Sequence, residues 1–172
     1  MTERNAIMWS QFGASIDMLE NAVRACPADV WGDRADFQEF WYMAYHTLFW
    51  LDFYLDGDQD NFAPPEPFGL EEFDPAGAFP PIIYSPDQLL SYLSHCREKL
   101  RLLLLNLDDA SARQIIPHPK RKMSREEWLW YNMRHVQHHA AQLNLLLRQR
   151  AGDAPRWVGQ TAHQLLAEAD GI

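Results

Sequence analysis

Apolar residues return every three or four positions along most of this chain, a rhythm that predicts helices. Ile7, Met8, Phe12, Ile16, Leu19, Val23 and Cys26 share one face of a first helix, which Pro27 ends. Ala28 to Ala35, with Gly32 and several Asp, reads as a loop. Asp36 followed by Glu39 resembles an N-cap with its reciprocal partner, so a second helix is predicted from Phe37 to about Leu55, where Asp56-Gly57 supplies a stop. Its interior, including Phe40, Trp41, Tyr45, Leu48, Phe49 and Phe53, is apolar on most sides and should lie buried between neighbours. Ser85-Pro86-Asp87-Gln88 combines an N-cap, a first-turn proline and a capping-box glutamine, and it opens a third helix lined by Leu89, Leu93, Cys96, Leu100, Leu103 and Leu107. His95 falls off that stripe and is expected to be exposed. Ser124 with Glu127 caps a fourth helix that reaches about Arg150, ahead of Gly152. It carries two stripes, one of Leu129, Met133, Val136, Ala140, Leu143 and Leu147, the other of Trp128, Tyr131, His135, His139, Gln142 and Leu146. Arg156 to Glu168 is predicted to form a short final helix with Trp157 and Leu165 packing back.

The connectors break this rhythm. From Asp56 to Tyr84 the chain holds Pro64, Pro65, Pro67, Pro75, Pro80 and Pro81 and no periodicity, a long crossover loop of the kind that covers a site or bridges the ends of a bundle. Asp56, Asp58 and Asp60 alternate like the opening of a calcium loop, but Asn61 stands where the turn needs Gly and Pro67 where a bidentate Glu belongs. They read as solvated acids. A second connector, Asp108 to Met123, contains Pro117-His118-Pro119 and the basic run Lys120-Arg121-Lys122, which is either simply solvated or steers an anionic substrate. Four long helices joined in this way predict an all-α four-helix bundle, a single domain over residues 1–172.

Composition narrows the function. Of 172 residues, 47% are hydrophobic and seven are Trp, enough for a full core without covalent staples. The net charge of -9 opposes a nucleic-acid partner or an acidic membrane surface. The most apolar stretch, Phe37 to Leu55, is interrupted by Glu39, His46 and Asp52, which argues against a membrane span. Cys26 and Cys96 lack metal-type spacing and are too few for a disulfide framework, so both are expected to be reduced. With no basic-then-apolar leader at the N-terminus, a cytoplasmic location is expected.

Three of the seven histidines fall within five residues of the fourth helix. His135 and His139 are spaced i, i+4, so both imidazoles can address one point, with Gln142 beside them. His138 is rotated away by less than a turn and is either a third neighbour or faces elsewhere. His46 lies in the middle of the aromatic second helix; alone it reads as a satisfied core histidine, because an unpaired buried polar group costs about 1–3 kcal/mol. If the second and fourth helices are neighbours, three imidazoles converge. Three neutral nitrogens suit a divalent transition metal such as Zn²⁺, Ni²⁺ or Fe²⁺ and leave open positions for water or substrate. Glu-x-x-His pairs, His-Glu-x-x-His, phosphate-binding Gly loops and Gly-x-Ser-x-Gly are all missing from the sequence, which removes di-iron, metalloprotease, nucleotide and serine-hydrolase readings. Tyr42 and Tyr131 lie one turn before His46 and His135; each either reaches the open metal face or belongs to ordinary aromatic core.

The segments Ala44-Tyr45-His46-Thr47-Leu48-Phe49-Trp50 and His135-Val136-Gln137-His138-His139-Ala140-Ala141-Gln142-Leu143 resemble the DinB superfamily, and the likeness spans most of the chain. It implies an up-down-down-up bundle with a long link between helices two and three. It also implies a metal held by one His of the second helix and a His-x-x-x-His pair of the fourth, here His46, His135 and His139, with Gln142 matching the glutamine that follows the pair. The family name derives from damage induction and implies no DNA contact. Characterised relatives include mycothiol-dependent maleylpyruvate isomerase and bacillithiol S-transferases. The resemblance therefore implies a metal-dependent enzyme acting on a small-molecule substrate, with a low-molecular-weight thiol activated as thiolate, or a hydrolase if water is activated instead. The alternative it leaves is a non-catalytic, stress-associated, dimeric metal-binding protein. Relatives are often homodimers, and the aromatic surplus leaves room for an interface that no single stretch identifies.

Overall fold

A computed structural model describes residues 2–33, 39–57, 59–118 and 121–166. Its long elements are α1 (Glu3–Ala25), α3 (Phe40–Leu55), α4 (Pro86–Asn106) and α6 (Arg125–Arg150), with short helices α2 (Ala28–Trp31) and α5 (Asp109–Arg113) between them. A small antiparallel pair, β1 (Ile115–Ile116) and β2 (Met123–Ser124), precedes α6. The chain is mostly helical. No helix among the described residues is long and apolar enough to cross a membrane.

Local chemistry sets the helix ends. The Ser85 hydroxyl accepts from Gln88 N while the Gln88 side chain accepts from Ser85 N, and Ser124 and Glu127 repeat this reciprocal pair at the start of α6. Thr2 caps α1 by accepting from Asn5 N. The predicted cap at Asp36 and the first residue of the second helix, Phe37, lie outside the described residues; α3 is described from Phe40.

α4 and α6 each pack against both α1 and α3, so the four long helices close a ring around one apolar cluster. Phe12, Ile16 and Leu19 of α1, Tyr45, Leu48 and Phe49 of α3, Cys96 and Leu100 of α4, and Val136 and Leu143 of α6 are fully buried in it. Polar groups fix the register between these apolar faces. Asn132 of α6, itself buried, donates to the Leu51 carbonyl of α3 at 2.9 Å. Asn5 of α1 donates to the Leu104 and Leu107 carbonyls at the end of α4, both at 2.8 Å. Between α3 and α4 the buried Asp52 carboxylate accepts from Lys99 Nζ at 2.6 Å and from the Tyr92 hydroxyl at 3.1 Å.

Residues 56–57 and 59–85 are irregular apart from two short 3₁₀ turns, Gln59–Asn61 and Glu71–Phe73. The segment is held by aromatic packing: Phe68 stacks on Tyr92 with ring centroids 4.4 Å apart, and Phe62 and Phe73 pack against Phe49 and Phe53.

Three connecting segments differ from expectation. The loop predicted at Ala28 to Ala35 begins with α2, which buries Trp31; its indole donates to the Tyr84 carbonyl at 2.9 Å and ties this turn to the start of α4. The second connector contains α5, started by an Asp108–Ser111 capping box, and the β1–β2 pair formed by the β-branched Ile115-Ile116. The final helix predicted over Arg156 to Glu168 is not formed in residues 156–166. There the backbone bonds to α1 instead: Thr161 N donates to the Ser10 carbonyl, and the His163 carbonyl accepts from the Trp9 indole at 2.7 Å. Leu165 packs back, whereas Trp157 remains 70% exposed. Gly13 permits this approach, because a Cβ there would meet Thr161 Cγ2 at 2.6 Å.

Asp52→Ala leaves Lys99 and Tyr92 without their buried acceptor. It is expected to lower unfolding stability by about 3 kcal/mol, read as a shift in urea midpoint. A change no larger than that of an exposed substitution such as Asp87→Ala would show that the pair does not join α3 to α4 energetically.

Candidate metal centre

The pairing of α3 with α6 brings together residues some ninety positions apart. His46 lies midway along α3, and His135 and His139 lie on successive turns of α6 facing it. Ring centroids are 5.6 Å apart for His46 and His135, 5.0 Å for His46 and His139, and 4.6 Å for His135 and His139. One nitrogen from each ring lies within 4.8 Å of the other two, a grouping that can hold a metal ion. The Asn132–Leu51 bond sits one turn before His135 and fixes the register on which this convergence depends.

The outer nitrogens are held by neighbours. His46 Nδ1 lies 2.7 Å from Glu72 Oε2, and the same oxygen accepts from the Trp50 indole at 2.8 Å. Burial pushes the Glu72 carboxyl up, but bonds from His46, Tyr42 and Trp50 outweigh it and hold the group below the usual glutamate value. An ionised carboxylate only accepts, so the Nδ1 proton resides on His46, which leaves Nε2 as the nitrogen to offer to a metal. His139 Nδ1 likewise donates to Gln142 Oε1 at 2.7 Å. Metal-binding imidazoles are oriented in this way by carboxylate or carbonyl partners.

Burial depresses the His135 pKa to about 3 and that of His139 to about 4, with the neighbouring imidazoles adding to the shift. Both are therefore neutral at physiological pH, the form a metal ligand requires. His135 Nδ1 is buried with no hydrogen-bond partner among the described residues. An orphan nitrogen inside a cluster of pre-oriented imidazoles fits a divalent ion and fits a purely structural histidine cluster poorly.

The other residues singled out by sequence take different places. His138 is exposed, 5.0 Å ring to ring from His139, and is not part of the three-nitrogen group. Gln142 orients His139. Tyr42 packs 4.4 Å from Phe79 and 6.3 Å from His46, its phenol pushed up by burial and by Glu72. Tyr131 packs on Tyr54 and Trp128, with Arg121 over its ring. Glu72 and Asn132 were not foreseen. Glu72 sits in a segment without periodicity, and only its place in a loop able to cover a site hinted at a role; Asn132 could have been suspected as an amide on an apolar stretch of α6.

A second cluster, Asp17, Glu20 and His163, also brings three donors together. Arg97 already bonds both carboxylates, at 2.9 and 2.6 Å, and Arg24 pairs with Glu20 at 2.7 Å, so two guanidinium groups balance the two acids within the protein.

A sequence model of the DinB superfamily matches residues 11–143, which takes in all three histidines. The chain belongs to the DinB superfamily. No curated protein matches it.

Because His135 and His139 resist protonation when folded, the unfolded chain takes up more protons below the ordinary value of 6.5, and stability falls as pH drops from there toward 4. Urea unfolding of chelator-treated protein between pH 7 and 4.5 is expected to show this decline, and His135→Gln to flatten it. Parallel profiles for the two proteins would exclude His135 as a source.

Proposed function

We propose that this chain is a metal-dependent enzyme acting on small molecules through an open divalent site of His46, His135 and His139. The observation that carries it is the convergence of three imidazoles, two of them held at Nδ1 by Glu72 and Gln142. A divalent ion bound there supplies Lewis acidity that favours the deprotonated form of a nearby nucleophile. Three protein donors leave positions for that nucleophile and for substrate, and the donor set suits Zn²⁺, Ni²⁺ or Fe²⁺.

The protein's own groups then do four things. Glu72 fixes the His46 tautomer, Gln142 fixes that of His139, Asn132 keeps α6 in register, and the aromatic residues of 56–85 limit water at the site. Glu72 Oε2 is occupied by His46 and the Trp50 indole, whereas Glu72 Oε1 is buried with no hydrogen-bond partner among the described residues. A low-molecular-weight thiol, whose ordinary pKa near 8.5 lies far below that of water, needs less help from the metal and is the preferred nucleophile, and S-transfer to an electrophile is the preferred reaction over hydrolysis.

The ring of four long helices and the 56–85 crossover support an up-down-down-up bundle, and the continuous core supports a single domain. The exposed Ile7, Trp157 and Leu166 offer apolar surface for a homodimer. The free cysteines fit a cytoplasmic location, and the net charge of -9 fits a protein that engages neither nucleic acid nor membrane.

Elemental analysis of the purified protein is expected to find near-stoichiometric divalent metal, lost in the triple His46→Ala, His135→Ala, His139→Ala variant. Glu72→Gln is expected to weaken retention by about 10–100-fold. Chelation should lower the melting temperature, and thiol conjugation to a panel of electrophiles should disappear with the metal. Conjugation that is unchanged in metal-free protein would overturn the proposal. Stoichiometric metal with no turnover of any thiol or ester would replace it with a non-catalytic, stress-associated metal-binding role.

A further inference from the structure

Beside the three histidines lies a groove of about 780 Å³, within the range of small-molecule sites. Trp50, Phe53 and Tyr54 of α3 and Phe73 of the 3₁₀ turn give it an aromatic lining, with Phe73 5.7 Å from Trp50 and 5.1 Å from Phe53, ring to ring. Trp50 also lies 6.3 Å from His46, and Tyr54 6.0 Å from His135. The groove and the histidine cluster therefore share walls.

The polar lining comes from two segments of opposite sign. The connector before α6 supplies His118 and Arg121, whose exposed guanidinium lies 5.1 Å over the Tyr131 ring. The turn Gln59–Asn61 supplies Asp60 and Gln59. Both side-chain amide atoms of Gln59 are buried with no partner among the described residues, so a donor and an acceptor remain for a bound molecule. On a chain with net charge -9, a guanidinium beside an aromatic lining is a local exception to a field that repels anions. Asp60 disfavours a second negative charge.

We propose that this groove binds the non-reacting part of the electrophilic substrate: a planar apolar body over Trp50, Phe53, Tyr54 and Phe73, bearing one carboxylate received by Arg121. Its assignment to the substrate rests on the metal-dependent reading above, whereas its selectivity for a monoanion rests on the groove alone. The substrate class is therefore an aromatic or otherwise planar monocarboxylic acid with its reactive carbon toward the histidines.

The test is calorimetric titration of the full-length, as-purified protein with 1-naphthoate, 1-naphthylmethanol and 1-naphthylmethylamine, with metal content measured on the same samples. Naphthoate is expected to bind roughly fivefold more tightly than the alcohol and the amine most weakly. Arg121→Gln, an exposed substitution that leaves the core intact, should abolish the preference without changing alcohol affinity. Phe73→Ala should weaken naphthoate and alcohol alike. Chelation should leave the Arg121-dependent preference in place. Equal affinities, a preference that survives Arg121→Gln, or one that vanishes on chelation would overturn the assignment, the last because the carboxylate would then be binding the metal. Metal-loaded protein with no Arg121-dependent preference sinks the groove assignment alone. Protein that carries no metal as purified yet shows the preference sinks the metal-dependent reading and leaves the anion site standing.

Discussion

The seam between α3 and α6 is the contact on which the rest of the structure depends. α3 is buried on nearly every face, so it can tolerate an imidazole at position 46 only if that ring is satisfied, and α6 supplies the surroundings. The Asn132 amide, locked to the Leu51 carbonyl, allows one register. A slide of a single residue along α6 would turn His135 and His139 away from α3 by about 100° and leave their buried nitrogens with no common target. Packing, polar satisfaction and chemistry are therefore set together at this seam.

The irregular segment between α3 and α4 is part of the same construction. It carries Glu72, which fixes the proton on His46, and also Phe73 and Gln59, which line the neighbouring groove. A segment rich in Pro lacks the helical bonds that would hold it. Its order comes from aromatic side chains: Phe62, Phe68 and Tyr84 are buried against α3 and α4, and the Tyr45 hydroxyl donates to the Gly69 carbonyl at 3.3 Å. Aromatic residues, abundant in this chain, thus position the one loop carboxylate that the histidines need.

The parts of this arrangement that arise from local sequence were legible in it. The capping boxes at Ser85 and Ser124 mark two helix starts to the residue, and the i, i+4 spacing places His135 and His139 on one face. The convergence of His46 with that pair needed the extra supposition that α3 and α6 are neighbours, which the DinB resemblance supplied and the packing bears out. Glu72 was invisible because its partner lies 26 residues away across a segment with no period. The terminal segment was misread for a related reason: its helical pattern is weak, and α1 offers its backbone better partners at Ser10 and Trp9. α2 and α5 are one-turn helices whose existence depends on burying Trp31 and on a single capping box, signals too short to separate from loop.

X-ray absorption spectroscopy at the metal edge of the protein as purified tests the central claim most directly. The account requires a first shell containing three imidazole nitrogens at about 2.0–2.1 Å, with the imidazole outer-shell scattering reduced by one ring in His46→Ala. A shell of sulfur or carboxylate oxygen, or an imidazole count unchanged by that substitution, would show that the three rings do not share an ion.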